Sequence, residues 1–211
     1  MIDELYKLYE EKKHEIKSRI KEFEEMNNAS EKKIFAELAF CLCTPQSKAR
    51  ECDKAIKQLE ASGLLFSGDQ RQILPFLSKV RFPENKSNFI VKAREQFSKN
   101  NEIIIKDFLK QFKNSFDARE WLVKNVKGLG YKEASHFLRN IGFARDLAIL
   151  DRHILRCLVD FNVIEEIPKS LTPRKYLEIE KKMKDFSKKI GIDFAELDLL
   201  LFYRQTGDIF K

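Results

Sequence analysis

The chain has 211 residues, 43% of them hydrophobic, and its 40 Lys and Arg against 33 Asp and Glu leave a net charge of +7. That supplies apolar material for one domain or two close lobes, and the positive balance suits an anionic partner such as nucleic acid. No run approaches the ~20 apolar residues that span a membrane, and MIDELYKLYEEKKHEIKSR is too charged for a signal peptide, so the expectation is a soluble, cytoplasmic protein with no membrane partner.

Apolar residues recur at helical spacing along most of the chain, which predicts an all-α fold. Leu5, Tyr9 and Ile16 mark a first helix, and Ile34, Phe35, Leu38, Ala39 and Leu42 a second. Breaks fall at 27–30, 43–47, 62–70, 81–85, 127–130 and 166–174, where Asn, Ser, Pro and Gly gather. Ser30 suits a helix N-cap, and Pro45 a first helical turn. The run EIIIKDFL (102–109) fits strand or helix by periodicity; with no hairpin signal beside it, helix is the reading. Cys41, Cys43, Cys52 and Cys157 lack paired CxxC spacing, which argues for buried free thiols over a zinc or iron–sulfur site. No repeat, linker or low-complexity tract divides residues 1–211, so a single domain is expected, with any lobes sharing a continuous surface. The charged, glycine-poor composition resembles thermophile usage.

The stretch VKNVKGLGYKEASHFLRN (123–140) has two glycines between two helical patterns. Phe116, Leu122, Val123 and Val126 form an apolar face before the turn; Ala134, Phe137, Leu138 and Ile141 form one after it. A helix-hairpin-helix over about 116–141 follows. Gly128 and Gly130 permit positive φ and close backbone approach, so the turn's amides and the next helix's dipole could hold a phosphate. Lys132 falls in the first turn of that next helix, where the dipole disfavours a cation. A neutral lysine amine is a strong nucleophile, but a free pKa of about 10.4 has to be lowered for work near pH 7. Asp151 lies between LAIL and HILRCLV, where it can cap a helix and face a cavity to stabilise a developing cation or take a proton from an amine.

On the last helical pattern, Asp198 and Phe202 are four apart and share a face, an ionisable group and an aromatic plate inside an apolar run. Phe89 is a second candidate stacking ring, while Trp121 reads as core. His136 and His153 have no companion at ligand spacing, so no metal site is assigned.

VKGLGYK followed by ILD, with Asp151 at 151 − 132 = 19 residues beyond Lys132, resembles the helix-hairpin-helix and aspartate signature of the HhH-GPD DNA glycosylase superfamily, which includes endonuclease III and the 8-oxoguanine glycosylases. FCLCTPQSKA (40–49) is similar to the superfamily segment whose glutamine, here Gln46, reaches toward DNA. RFPENKSNFIVKAR (81–94) looks like its asparagine and lysine helix. The length and the ending LLLFYRQTGDIFK resemble the archaeal-type, or type-2, 8-oxoguanine DNA glycosylase/AP lyases, which often carry a tryptophan near Phe202 or Tyr203, where this chain has none.

That resemblance implies a two-lobed helical fold with the active site between the lobes. It implies Lys132 as the Schiff-base nucleophile of a bifunctional enzyme, Asp151 as the motif's aspartate, and Lys211, the C-terminal lysine, as a group that helps tell the oxidised base from guanine. The implied partner is double-stranded DNA containing oxidised guanine, bound by a monomer. No cofactor or iron–sulfur cluster is implied, although a monovalent cation on hairpin carbonyls is compatible. A noncatalytic hairpin module for DNA and a glycosylase for another oxidised base are the alternatives.

Overall fold

The structure, a computed structural model, describes residues 2–211. Helix α1 (Ile2–Met26) buries Leu5, Tyr9, Ile16, Ile20 and Phe23 along one stripe, the 3.6-residue period of an amphipathic helix. Ser30 caps α2 (Glu31–Cys43), its Oγ accepting the Lys33 N–H at 3.4 Å. Every residue of α2 from Ile34 to Cys43 is buried, so this helix lies inside a core. There follow α3 (Ala49–Ala61), the short α4 (Leu64–Ser67) and α5 (Gln70–Ile73), a 3-10 turn (Leu74–Leu77) and α6 (Pro83–Gln96). Beyond a small hairpin come α7 (Ile105–Leu109), α8 (Ser115–Asn125), α9 (Tyr131–Asn140), α10 (Arg152–Asp160), α11 (Pro173–Ile190) and α12 (Phe194–Thr206).

Two hydrophobic cores organise these elements. One gathers residues from Ile34 to Leu147. The other joins α1 to the chain from Ala148 to Ile209, so the N-terminal helix packs with the C-terminal ones. Helix α9 contacts α2 and α8 on one side and α1 on the other, which places it at the seam between the lobes. Its buried polar residues Ser135, His136, Arg139 and Asn140 are therefore enclosed by both lobes. Among the described residues no helix is long and apolar enough to cross a membrane, and all four cysteines are buried and unpaired.

Three local expectations are corrected. The segment 102–109 is not all helix: Glu102–Ile103 pairs antiparallel with Ser98–Lys99, and helix begins only at Ile105. Asn100 (φ 52°) and Asn101 (φ 64°) form the turn, because Asn accepts the left-handed conformation that a two-residue hairpin demands. Pro45 is in an irregular turn, α3 starting only at Ala49 with Lys48 as its N-cap. Phe116 leaves the apolar face of Leu122 and Val126; it is 36% exposed and lies beneath the Lys184 ammonium, 4.4 Å from its ring centre.

Candidate active site

The hairpin turn between α8 and α9 needs its glycines for two different reasons. Gly128 adopts φ +96°, and a Cβ there would meet Cδ2 of Phe89 at 2.4 Å. Gly130 has an ordinary φ and serves as the N-cap of α9, where its N–H is accepted by Glu133 Oε2 at 3.3 Å. That carboxylate also stands 3.7 Å from the Lys132 ammonium. Phe89 is thus the floor on which the turn rests.

Lys132 opens α9 and Asp151 caps α10, so two helix N-termini converge on one cleft of about 810 Å³. The Asp151 Oδ1 accepts the main-chain N–H groups of His153 and Ile154, both at 2.8 Å. Capping thereby fixes one oxygen and leaves the other for the cleft. Both helix ends present the positive pole of their dipoles, an arrangement that favours anions.

Asp198 lies 6% exposed below these groups. It accepts the Ile149 N–H at 3.3 Å and pairs with Arg139 at 3.4 Å. Burial pushes its carboxyl up to about 6, Asp151 adding to the rise while Arg139, the Ile149 N–H and Lys132 oppose it. The contacts continue as a chain under the cleft floor. Arg139 Nε donates to Asn140 at 2.8 Å, Asn140 donates to Glu37 at 2.7 Å, and Glu37 accepts the Lys211 ammonium at 3.0 Å, as does Asp53. For Lys211, burial disfavours the charge, but Glu37 and Asp53 outweigh it and hold the ammonium above the ordinary lysine value. Its Nζ also stands 4.4 Å from the centre of the Phe40 ring. Two of its three N–H groups are committed to carboxylates, which leaves one N–H for a ligand.

Of the residues singled out in the sequence, Gln46, Lys132, Asp151, Asp198, Phe202 and Lys211 line this cleft. Phe89 does not, being packed under Gly128 in the core of the first lobe. Gly128 and Gly130 stand at the hairpin beside the cleft, not on its wall.

Several groups that the sequence reading weighed only as metal ligands, or not at all, belong here. His136 is 5% exposed, and neither ring nitrogen has a hydrogen-bond partner of good geometry. Burial holds its imidazole well below the ordinary value, with Lys132, Arg139 and Lys211 acting in the same direction and the nearby Lys211 main chain weakly against it. The ring is therefore neutral, and both of its buried nitrogens lack a partner. Lys132, His136 and Arg139 recur at helical spacing on α9, a signal that could have found it. His153 also lines the cleft and meets the Phe202 ring edge-on at 5.7 Å. At the rim, Arg81 faces the cleft and Phe82 is 50% exposed at φ 57°. Gln46, across the rim, has φ 56°. Each non-glycine residue so placed costs about 1–2 kcal/mol, which the surrounding contacts must offset.

A family model described as 8-oxoguanine DNA glycosylase matches residues 16–192. The chain belongs to the 8-oxoguanine DNA glycosylase family. An 8-oxoguanine DNA glycosylase/AP lyase of Fusobacterium nucleatum is 49% identical over 210 residues, 99% of this chain and 97% of that protein. The protein of that name from Methanocaldococcus jannaschii is 42% identical, across 97% of this chain and 98% of its own. The crystal structure of the Methanocaldococcus jannaschii glycosylase/lyase with a 15mer DNA containing 8-oxoguanine superposes with a TM-score of 0.90 at 39% identity, covering 100% of this chain and 99% of that one. The 8-oxoguanine DNA glycosylase of Thermotoga maritima superposes with a TM-score of 0.84 at 33% identity, covering 100% and 98%. The all-α, two-lobed expectation agrees with these structures, and archaeal relatives are among the matches.

Proposed function

We propose that this protein is a bifunctional 8-oxoguanine DNA glycosylase/AP lyase that acts as a monomer on duplex DNA containing 8-oxoguanine. The observation that carries the reading is the meeting of Lys132 and Asp151, from the N-termini of two helices, in one cleft that also holds a neutral His136 and the C-terminal Lys211. One chain supplies the whole set, so no second copy is needed.

A base stacked inside a duplex is out of reach of a protein nucleophile, so the damaged nucleotide has to rotate into the cleft. The hairpin of Gly128 and Gly130 is placed to hold the adjacent phosphates, and Gln46 and Phe82 stand at the rim facing the vacated stack. In the pocket, Phe202 offers a plate for the base, while His136, Asp198 and the Lys211 ammonium offer polar contacts to its edge. The Lys132 amine adds to C1′ as the glycosidic bond breaks and the base departs with the bonding pair and a proton. Asp151 stabilises positive charge developing on the sugar through the carboxylate oxygen not spent on capping. Ring opening yields a Schiff base between Lys132 and C1′. Loss of a proton from C2′ expels the 3′ phosphate by β-elimination, and water then hydrolyses the imine to free the lysine. Each step uses side chains of this chain and water, so the reading calls for no cofactor.

Borohydride trapping tests it, on duplexes carrying 8-oxoguanine or guanine opposite cytosine, with the wild type and Lys132→Gln. A covalent adduct with the oxidised base alone, absent in the variant although DNA binding persists, is expected. Tight binding with no adduct would favour the noncatalytic hairpin module, and adducts only with other lesions would reassign the substrate.

A further inference from the structure

Among the buried charged groups outside the cleft, Lys86 on α6 is 3% exposed, and all three of its N–H donors go to oxygens without formal charge. They are the Cys43 carbonyl at 2.7 Å, the Pro45 carbonyl at 2.7 Å and the Ser47 hydroxyl at 3.0 Å. Those acceptors encircle Gln46, the exposed residue held at φ 56°. A buried ammonium is costly unless its hydrogen bonds are complete, and here they are completed by one irregular turn. An apolar side chain would fill this space at lower cost, so the arrangement calls for a reason beyond packing.

The Ser47 hydroxyl extends the unit. Besides Lys86 it accepts the Arg81 N–H at 3.0 Å and donates to Pro45 O at 3.4 Å, which uses its full hydrogen-bonding capacity. Arg81 directly precedes Phe82, which like Gln46 is exposed and in the left-handed region, whereas the other non-glycine residues at positive φ among the described residues are all asparagine, which accepts that conformation more readily. Two strained, solvent-facing side chains from different elements are thus tied through one hydroxyl and one ammonium. Strain of this kind persists only where neighbours over-determine it, and it gathers where geometry is used.

We propose that Lys86 is a positioning residue which, through Ser47, locks the Gln46 turn and the Arg81–Phe82 turn into one rigid prong that opens the DNA duplex beside the lesion. This rests on the reading that the cleft receives an extruded nucleotide. Lys86 touches no substrate; it sets the geometry of the residues that do, so that insertion needs no rearrangement of the rim.

The test compares two substrates under single-turnover conditions: 8-oxoguanine in a fully paired duplex, and the same strand with the lesion inside a short unpaired bubble. A 2-aminopurine next to the lesion reports unstacking. For Lys86→Gln we expect base release from the paired duplex to fall at least about tenfold with loss of the fluorescence rise, while release from the bubble stays within about threefold of wild type. Ser47→Ala, which removes only the shared hydroxyl, should show the same contrast more weakly and carries the test should Lys86→Gln fail to fold. Equal losses on both substrates, or no loss on either, would overturn the proposal. Failure of the wild type to release base from either substrate would instead reject the enzymatic reading itself.

Discussion

Acid should stabilise this protein through Asp198, against the usual trend for paired carboxylates. Burial raises its carboxyl from the ordinary 3.8 to about 6, Arg139 notwithstanding. At about 1.4 kcal/mol for each pH unit, keeping it ionised at pH 7 costs about 3 kcal/mol relative to the unfolded chain. Between pH 4 and 6 the folded state holds more protons than the unfolded state, so this penalty fades as pH falls and is gone below about pH 4. Other groups titrate over the same range, and Asp198→Asn isolates the one in question. The variant also removes the carboxylate beside Arg139, but the guanidinium stays charged at every pH used, so that loss is a constant offset. Urea unfolding at pH 7, 6, 5 and 4 should show the wild type gaining on the variant by about 2.4 kcal/mol over that range, most steeply between pH 6 and 4. A difference that stays flat to within about 0.5 kcal/mol, or that runs the other way, would refute the assignment of a buried, Asp151-facing carboxyl.

Further outcomes follow from the same contacts. Gly128→Ala combines φ +96° with a Cβ 2.4 Å from the Phe89 ring; it should cost about 2 kcal/mol and lower the melting temperature by about 4–8 °C, with partial recovery in Gly128→Ala/Phe89→Leu. Arg119 and Glu180 pair at 2.6 Å with side chains 1% and 4% exposed. Arg119→Met, which strands the carboxylate, should cost about 3–5 kcal/mol by calorimetry, and Arg119→Met/Glu180→Met should regain most of it. Removing Lys211 alone should lower the ratio of 8-oxoguanine to guanine release by about tenfold in single-turnover assays; an unchanged ratio would leave the C-terminus a purely structural strut between Glu37 and Asp53.

What could be read from the sequence was local. The Gly128–Gly130 turn, Lys132 just beyond it and Asp151 at a helix mouth each depend on neighbours a few residues away, and each stands where its spacing predicted. The Asn100–Asn101 hairpin was equally local and was missed because Asn-Asn is a weaker turn signal than Asn-Gly. The cleft floor was out of reach for a different reason. Arg139 meets Asp198, and Arg119 meets Glu180, about sixty residues apart in the chain; no periodicity links such partners. The joining of α1 to the C-terminal helices is of the same kind.

Phe82 goes further, because there the local rule points the wrong way. A residue before proline is steered toward extended backbone, yet Phe82, followed by Pro83, takes φ 57° and ψ 51°. Its neighbour Arg81 is bound by a serine 34 residues upstream, and that serine is bound in turn by Lys86. Local preference has been overruled by a tertiary contact whose visible product is an exposed aromatic ring beside Arg81, a residue that lines the cleft. Proteins keep such conflicts where function offsets the cost, so the failure of sequence reasoning at this residue is itself a reason to look for the DNA there.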